Sequence, residues 1–253
     1  MRILPGVLKE LMKHVPTILF QTVEWSEIMS EVPVITRRMV SKEGYSELAD
    51  LQKEILGDLP LCIRHESVAG PKLLPGNGAT ILSLYFRQLF SPHGVFLDLR
   101  SVHFAQESDQ LLWNPGTLWT KFSSQFQEGL VEVYDGFYLG KDDLYRSGLV
   151  KIGLLNPSWP QSDQNEIMEI FQEHFGSAQT QKVEFKLAQL RTGIIAMAQF
   201  LLARKAQIKK DFLYFGIYLV TMYVTLEETG ESLPVKDIYL SSRIQTPLTS
   251  VKS

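Results

Sequence analysis

From Phe212 to Leu226, between Asp211 and Glu227, the chain carries no charged side chain, and the same holds for Thr192 to Ala203. A helix that is apolar all round must be covered on most of its sides. Neither stretch reaches the roughly 20 apolar residues that a bilayer-spanning helix needs. At least one of the two helices, drawn over about 182–206 and 211–228, is therefore expected at the centre of a core. A chain of 253 residues can supply that cover itself. Arg204, Lys205, Lys209 and Lys210 crowd the connection between them. If the cover were incomplete, the exposed strip would become a dimer or membrane-surface contact with this basic connection at its tip.

Apolar residues at 45% and charged residues at 21% exclude a disordered or collagen-like chain. A balance of 25 basic and 28 acidic side chains leaves no broad footprint for nucleic acid. Cys62 is the only cysteine, which excludes an intrachain disulfide and any multi-cysteine zinc or iron–sulfur site. Lys9, Glu10 and Lys13 interrupt the early apolar residues, so no secretory signal is read. The expected setting is cytoplasmic, with peripheral membrane contact as the variant.

Residues 1–60 read as an N-terminal segment of short helices, with Pro16 and Pro33 each ending or interrupting a helix. Leu48, Leu51 and Ile55 form a helical stripe closed by Gly57. Residues 61–240 read as a mainly helical domain and 241–253 as a flexible tail. Leu59 to His65 predicts a strand, and the turn-rich run from Gly70-Pro71 to Gly78 leads into a helix capped by Thr80. Gly94 to Phe104 predicts a longer strand, turned at Glu107-Ser108-Asp109 into a hairpin with Gln110 to Trp113. Asn114-Pro115-Gly116 ends that unit. The stripe Trp119, Phe122, Phe126, Leu130, Val133 and Phe137 predicts a packed helix, and Gly153, Gly176 and Gly230 predict helix ends. The fold class is α+β, mainly α, with a small β-hairpin unit among roughly eight to ten helices.

Single motifs carry little chemistry. Gly76 and Gly78 form a G-x-G, but the Lys-Ser or Lys-Thr of a phosphate loop is absent, so a turn into a helix is expected. His93, Asp98 and His103 recur at intervals of five, yet on one continuous strand 98 and 103 would face opposite sides, which argues against a shared metal. Glu166, Glu169, Glu173 and His174 read as a solvated acidic face.

In order along the chain, the pieces resemble the C-terminal lobe of the UbiB/AarF family of atypical kinase-like proteins. The segment Arg87 to His103 reads Arg-Gln-Leu-Phe-Ser-Pro-His-Gly-Val-Phe-Leu-Asp-Leu-Arg-Ser-Val-His, similar to the family's catalytic loop after its helix. Gly44 to Leu51, Ile63 to Gly70, Gly136 to Asp143 and Gly148 to Leu155 follow the family's rhythm on either side. The resemblance implies a kinase-C-lobe-like domain in which Asp98 falls on the catalytic aspartate. His103 falls on the metal-binding asparagine, and Asn114 on the aspartate that holds magnesium; these two are the candidate cofactor-binding residues. Phosphoryl transfer needs magnesium and a lysine to neutralise the phosphates. Asn114 removes the carboxylate, His103 offers nitrogen where magnesium prefers oxygen, and the lysine strand has no counterpart.

The leading expectation is therefore a non-catalytic, pseudokinase-like domain without metal or cofactor that binds a protein or a lipid-like small molecule. The alternatives are a divergent phosphotransferase or other enzyme using Asp98, and a helical interaction scaffold without kinase ancestry. Oligomeric state is open at this stage.

Overall fold

The computed structural model describes residues 11–64, 75–107, 110–115, 118–173 and 182–245. After a 3-10 turn at Thr17–Gln21 come α1, Trp25–Val40, and α2, Lys42–Leu56. Pro33 lies inside α1 instead of ending it. Burial of Ile28, Val32 and Ile35 along one face carries the helix past the missing donor. Strand β1, Leu61–Ile63, precedes α3, Gly78–Phe90. This helix begins at Gly78 and not after Thr80, because Glu231 Oε1 accepts the N–H groups of Gly76 (2.9 Å) and Gly78 (2.8 Å). A carboxylate from far along the chain thus does the work of a local cap.

The stretch from Gly94 to Phe104 is not one strand. It divides into β2 (Val95–Phe96), an irregular segment, a 3-10 turn (Ser101–His103) and β3 (Phe104–Glu107). Leu97, Asp98 and Leu99 are all buried, so the alternation of a half-buried strand is lost. Their backbone groups turn instead to side chains of a later helix, described below. The hairpin forms as expected: β3 pairs antiparallel with β4 (Gln110–Trp113), Phe104 opposite Trp113 and Glu107 opposite Gln110. Strand β1 adds to the other edge of β4, parallel, with Leu61 opposite Leu111. β5, Trp119–Thr120, pairs antiparallel with β2.

Trp119 therefore belongs to a strand, and α4 starts only at Ser124. Ser123 is its N-cap, held in place by Asp211 Oδ2, which accepts from Ser123 Oγ (2.6 Å) and N–H (3.0 Å). Helix α4, Ser124–Leu139, is followed by α5 (Asp142–Lys151), α6 (Gln161–Glu173), β6 (Val183–Glu184), α7 (Leu187–Ala203), α8 (Lys210–Thr229), β7 (Ser232–Leu233) and α9 (Val235–Gln245). β6 and β7 pair antiparallel. Among the described residues there are nine α-helices and three small sheets, the mainly helical α+β class. The tail expected to fray after Leu240 is helical to Gln245. His65, Gly70-Pro71, Ser108-Asp109, Gly116, His174, Gly176 and 246–253 lie outside the described residues.

Every residue from Asp211 to Tyr223 is buried, so α8 is the central helix that its lack of charge predicts. Tyr218 stacks on Tyr85 of α3 at 4.8 Å between ring centres and donates from its hydroxyl to the Tyr85 carbonyl at 3.0 Å. Helix α7 is covered on one side only and leaves Ile195 exposed. Among the described residues no helix is long and apolar enough to cross a membrane.

Candidate functional site

Asp98 sits on the irregular segment between β2 and the 3-10 turn, 3% exposed. Two threonines of α8 hold that segment. Thr221 Oγ1 lies 3.1 Å from the Leu97 carbonyl and accepts the Leu99 N–H at 3.2 Å, and Thr225 Oγ1 donates to the Leu99 carbonyl at 2.6 Å. The chain then turns through Ser101–His103, which carries His103 back towards Asp98 rather than away from it. His103 Nε2 lies 2.9 Å from Asp98 Oδ2. The expectation that residues 98 and 103 face opposite sides fails because it assumed an unbroken strand.

Arg100 completes the cluster. Its Nε donates to Oδ1 at 2.9 Å, its Nη2 to Oδ2 at 2.7 Å, and its backbone N–H to Oδ1 at 3.1 Å. Each carboxylate oxygen thus has two donors, which uses the roughly four lone-pair sites an ionised carboxylate offers. Burial alone would raise the Asp98 carboxyl, but the hydrogen bonds and charges of Arg100 and His103 outweigh it and hold the group well below the usual carboxylate range. Asn114 joins the cluster through the backbone: its N–H donates to the His103 carbonyl at 2.8 Å. All three sequence candidates, Asp98, His103 and Asn114, therefore gather around one loop. His93 is exposed, whereas Asp98 is buried. Among the described residues no three His, Cys, Asp or Glu side chains are grouped to hold a metal ion.

Arg100 was not singled out in the sequence, although an Asp-x-Arg spacing flanking a turn is the signal that would have found it. The G-x-G of Gly76 and Gly78 is filled by the protein's own Glu231.

A second feature has no counterpart among the sequence candidates. A cavity of about 370 Å³ opens between α6, α7 and α8, with Leu19 of the N-terminal 3-10 turn (Thr17–Gln21) at one wall and β6 at another. Its walls are mainly apolar: Phe171 from α6, Leu190, Ile194 and Met197 from α7, and Phe212, Phe215, Leu219 and Tyr223 from α8. Two lining glycines help keep it open. A Cβ atom at Gly193 or at Gly216 would meet nothing within 4 Å. Polar groups lie among the exposed residues that line it, Glu173, Glu184, Gln189 and Thr192. Glu184 is paired with Lys186.

Tyr223 and Leu219 divide this cavity from a void of about 30 Å³ that Tyr85, Tyr134 and Tyr138 help to line. There the hydroxyls of Tyr85 and Tyr134 bond to each other at 2.9 Å, and burial pushes both phenols well above their ordinary range. These rings are packing, not acid–base groups. Neither space is lined by Asp98, His103 or Asn114.

No protein-family model matches the chain, and no curated protein matches it.

Proposed function

We propose that this chain is a non-catalytic binding domain that takes an apolar, lipid-like small molecule between α6, α7 and α8. The observation that carries the reading is the cavity itself. Its volume of about 370 Å³ falls in the range of small-molecule sites, its wall is apolar and aromatic, and its polar groups are few and lie at exposed residues. A close-packed interior does not leave such a space without cost, since a void forfeits contacts that side chains at 193 and 216 could restore.

The Asp98 cluster supports the non-catalytic half of the reading. A general base needs a lone pair for the proton it takes. Here both oxygens are engaged by Arg100 and His103, and the arginine adds positive charge where a kinase-like site would place magnesium. The succession α3, β2, Asp98 segment, β3–β4 hairpin and Asn114 follows the order on which the UbiB/AarF resemblance rests. That order favours a pseudokinase-like ancestry whose loop now serves as structure. Cys62, a free and partly exposed thiol, suits a cytoplasmic setting.

The test uses the whole chain and the apolar fluorophore N-phenyl-1-naphthylamine. Saturable binding is expected, with a rise in melting temperature, since a ligand at about 100 times its Kd stabilises the native state by about 2.7 kcal/mol. Gly193→Leu and Gly216→Leu, which place side chains in the cavity, should each weaken binding at least tenfold while the protein stays folded. Unchanged binding in both variants would sink the reading. Stabilisation by ATP that requires magnesium would overturn its non-catalytic half.

A further inference from the structure

We infer, resting on the reading of this cavity as a ligand site, that the ligand is a cationic amphiphile. Its apolar chain would lie between α7 and α8, with an ammonium group at the mouth beside Glu173 and Glu184. The charges around the cavity decide the sign. Among the described residues that line it there is no lysine, arginine or histidine, and the two charged ones are both carboxylates. Lys182 and Lys186 flank β6 but neither lines the space. Lys186 is turned to Glu184 and also feels the charge of Glu227, so the positive charge there is already matched. Glu173, exposed at the end of α6, has no ion-pair partner among the described residues.

A fatty acid entering this site would bring a carboxylate against that of Glu173, while Glu184 is already paired with Lys186 and no cation stands in the wall. An alkyl alcohol would meet no repulsion and gain no ion pair. An alkylamine would gain one with Glu173, and the rings of Phe171, Phe212, Phe215 and Tyr223 supply apolar wall for its chain. Because Glu173 is exposed, the gain is that of a solvated pair. That corresponds to about fivefold in affinity at the upper end. The apolar chain carries the rest, at about fourfold per buried methylene.

The experiment displaces N-phenyl-1-naphthylamine from the full chain at pH 7 with dodecylamine, dodecanol and dodecanoate, each below its micelle-forming concentration. Dodecylamine should act at a concentration about fivefold lower than dodecanol, and dodecanol about fivefold lower than dodecanoate. Glu173→Gln should bring amine and alcohol to within about twofold of each other while leaving the alcohol unchanged. Raising the salt should narrow the amine's advantage without changing the gain from decylamine to dodecylamine. Dodecanoate competing as well as dodecylamine would overturn the sign of the charge and leave the apolar cavity standing. An amine preference that survives Glu173→Gln undiminished would overturn the placement of the head group. If the fluorophore itself does not bind, the cavity reading fails and the inference fails with it.

Discussion

Alanine at Gly216 and alanine at Gly136 are the same chemical change in the same kind of element, yet they should move stability in opposite directions. Both glycines lie inside helices, where glycine costs about 1 kcal/mol relative to alanine. At Gly216 a Cβ would meet nothing within 4 Å, so the backbone gain comes without a steric cost. At Gly136, α4 crosses α5 so closely that a Cβ would lie 2.6 Å from the Cα of Tyr145. At Gly148, on the other side of the crossing, it would lie 2.6 Å from the Val133 nitrogen and 2.7 Å from the Gly129 carbonyl oxygen. These are backbone atoms, and they cannot swing aside as a side-chain end can. Forcing extra volume into packed contacts costs about 1–3 kcal/mol, with a backbone clash at the top of that range.

Gly216→Ala is therefore expected to stabilise by about 1 kcal/mol, raising the melting temperature by about 2–4 °C. Gly136→Ala should destabilise by about 2 kcal/mol net. Urea unfolding followed by tryptophan fluorescence and by circular dichroism reads both. The methyl of Gly216→Ala also intrudes on the cavity, so this more stable variant should bind the fluorophore more weakly. A neutral or destabilised Gly216→Ala would refute the reasoning, because it would mean that the space above residue 216 is not empty.

Two further outcomes follow from the ionic contacts. Asp98→Asn should cost about 2–3 kcal/mol, because it leaves Arg100 and His103 without their carboxylate. The carboxyl of Asp98 is depressed in the folded protein, so its contribution is complete above the ordinary aspartate value of about 3.9 and is lost as the pH falls below it. The gap in urea midpoint between wild type and Asp98→Asn should therefore shrink as the pH falls from about 5 towards 3; a gap that does not shrink in that range would exclude the ionised cluster. Glu231→Ala should cost about 1–2 kcal/mol, read in the same titration, since it strips the acceptor from the Gly76 and Gly78 N–H groups at the start of α3. A cost near zero would show that solvent serves those groups equally well.

What could be read from the sequence is what depends on local chemistry and period. The charge-free run of α8 announces burial whatever covers it, and the polar turn between Glu107 and Gln110 announces the hairpin. What could not be read depends on partners distant in sequence. Pro33 would end an isolated helix, but Ile28, Val32 and Ile35 are anchored by tertiary contacts. The start of α3 is set by Glu231, and the start of α4 by Asp211. The Asp98 segment reads as a strand because its residue types suit one, and Thr221 and Thr225, far along the chain, draw its backbone away. The cavity left the faintest trace, two glycines within otherwise apolar helices, a pattern equally suited to close helix contact. Gly136 and Gly148 make such a contact, whereas Gly193 and Gly216 do not, and composition cannot tell the pairs apart.

Helix α8 joins the two features of the molecule and keeps them distinct. Residues 216, 219 and 223 line the cavity, whereas Tyr218, Thr221 and Thr225 bond to α3 and to the Asp98 segment. Each member of the second set follows a member of the first by two positions, about 200° around a helix turning 100° per residue. The two stripes therefore occupy opposite faces. This accounts for a helix apolar all round whose few hydroxyls are nonetheless essential: Thr221 and Thr225 supply partners to backbone groups that no strand pairs, at positions where any charge would be buried. The opposite face has no such obligation and can leave a space. Hydrogen bonds to the backbone of Leu97 and Leu99 tie one side of α8 to the Asp98 segment, and the other side lines the cavity.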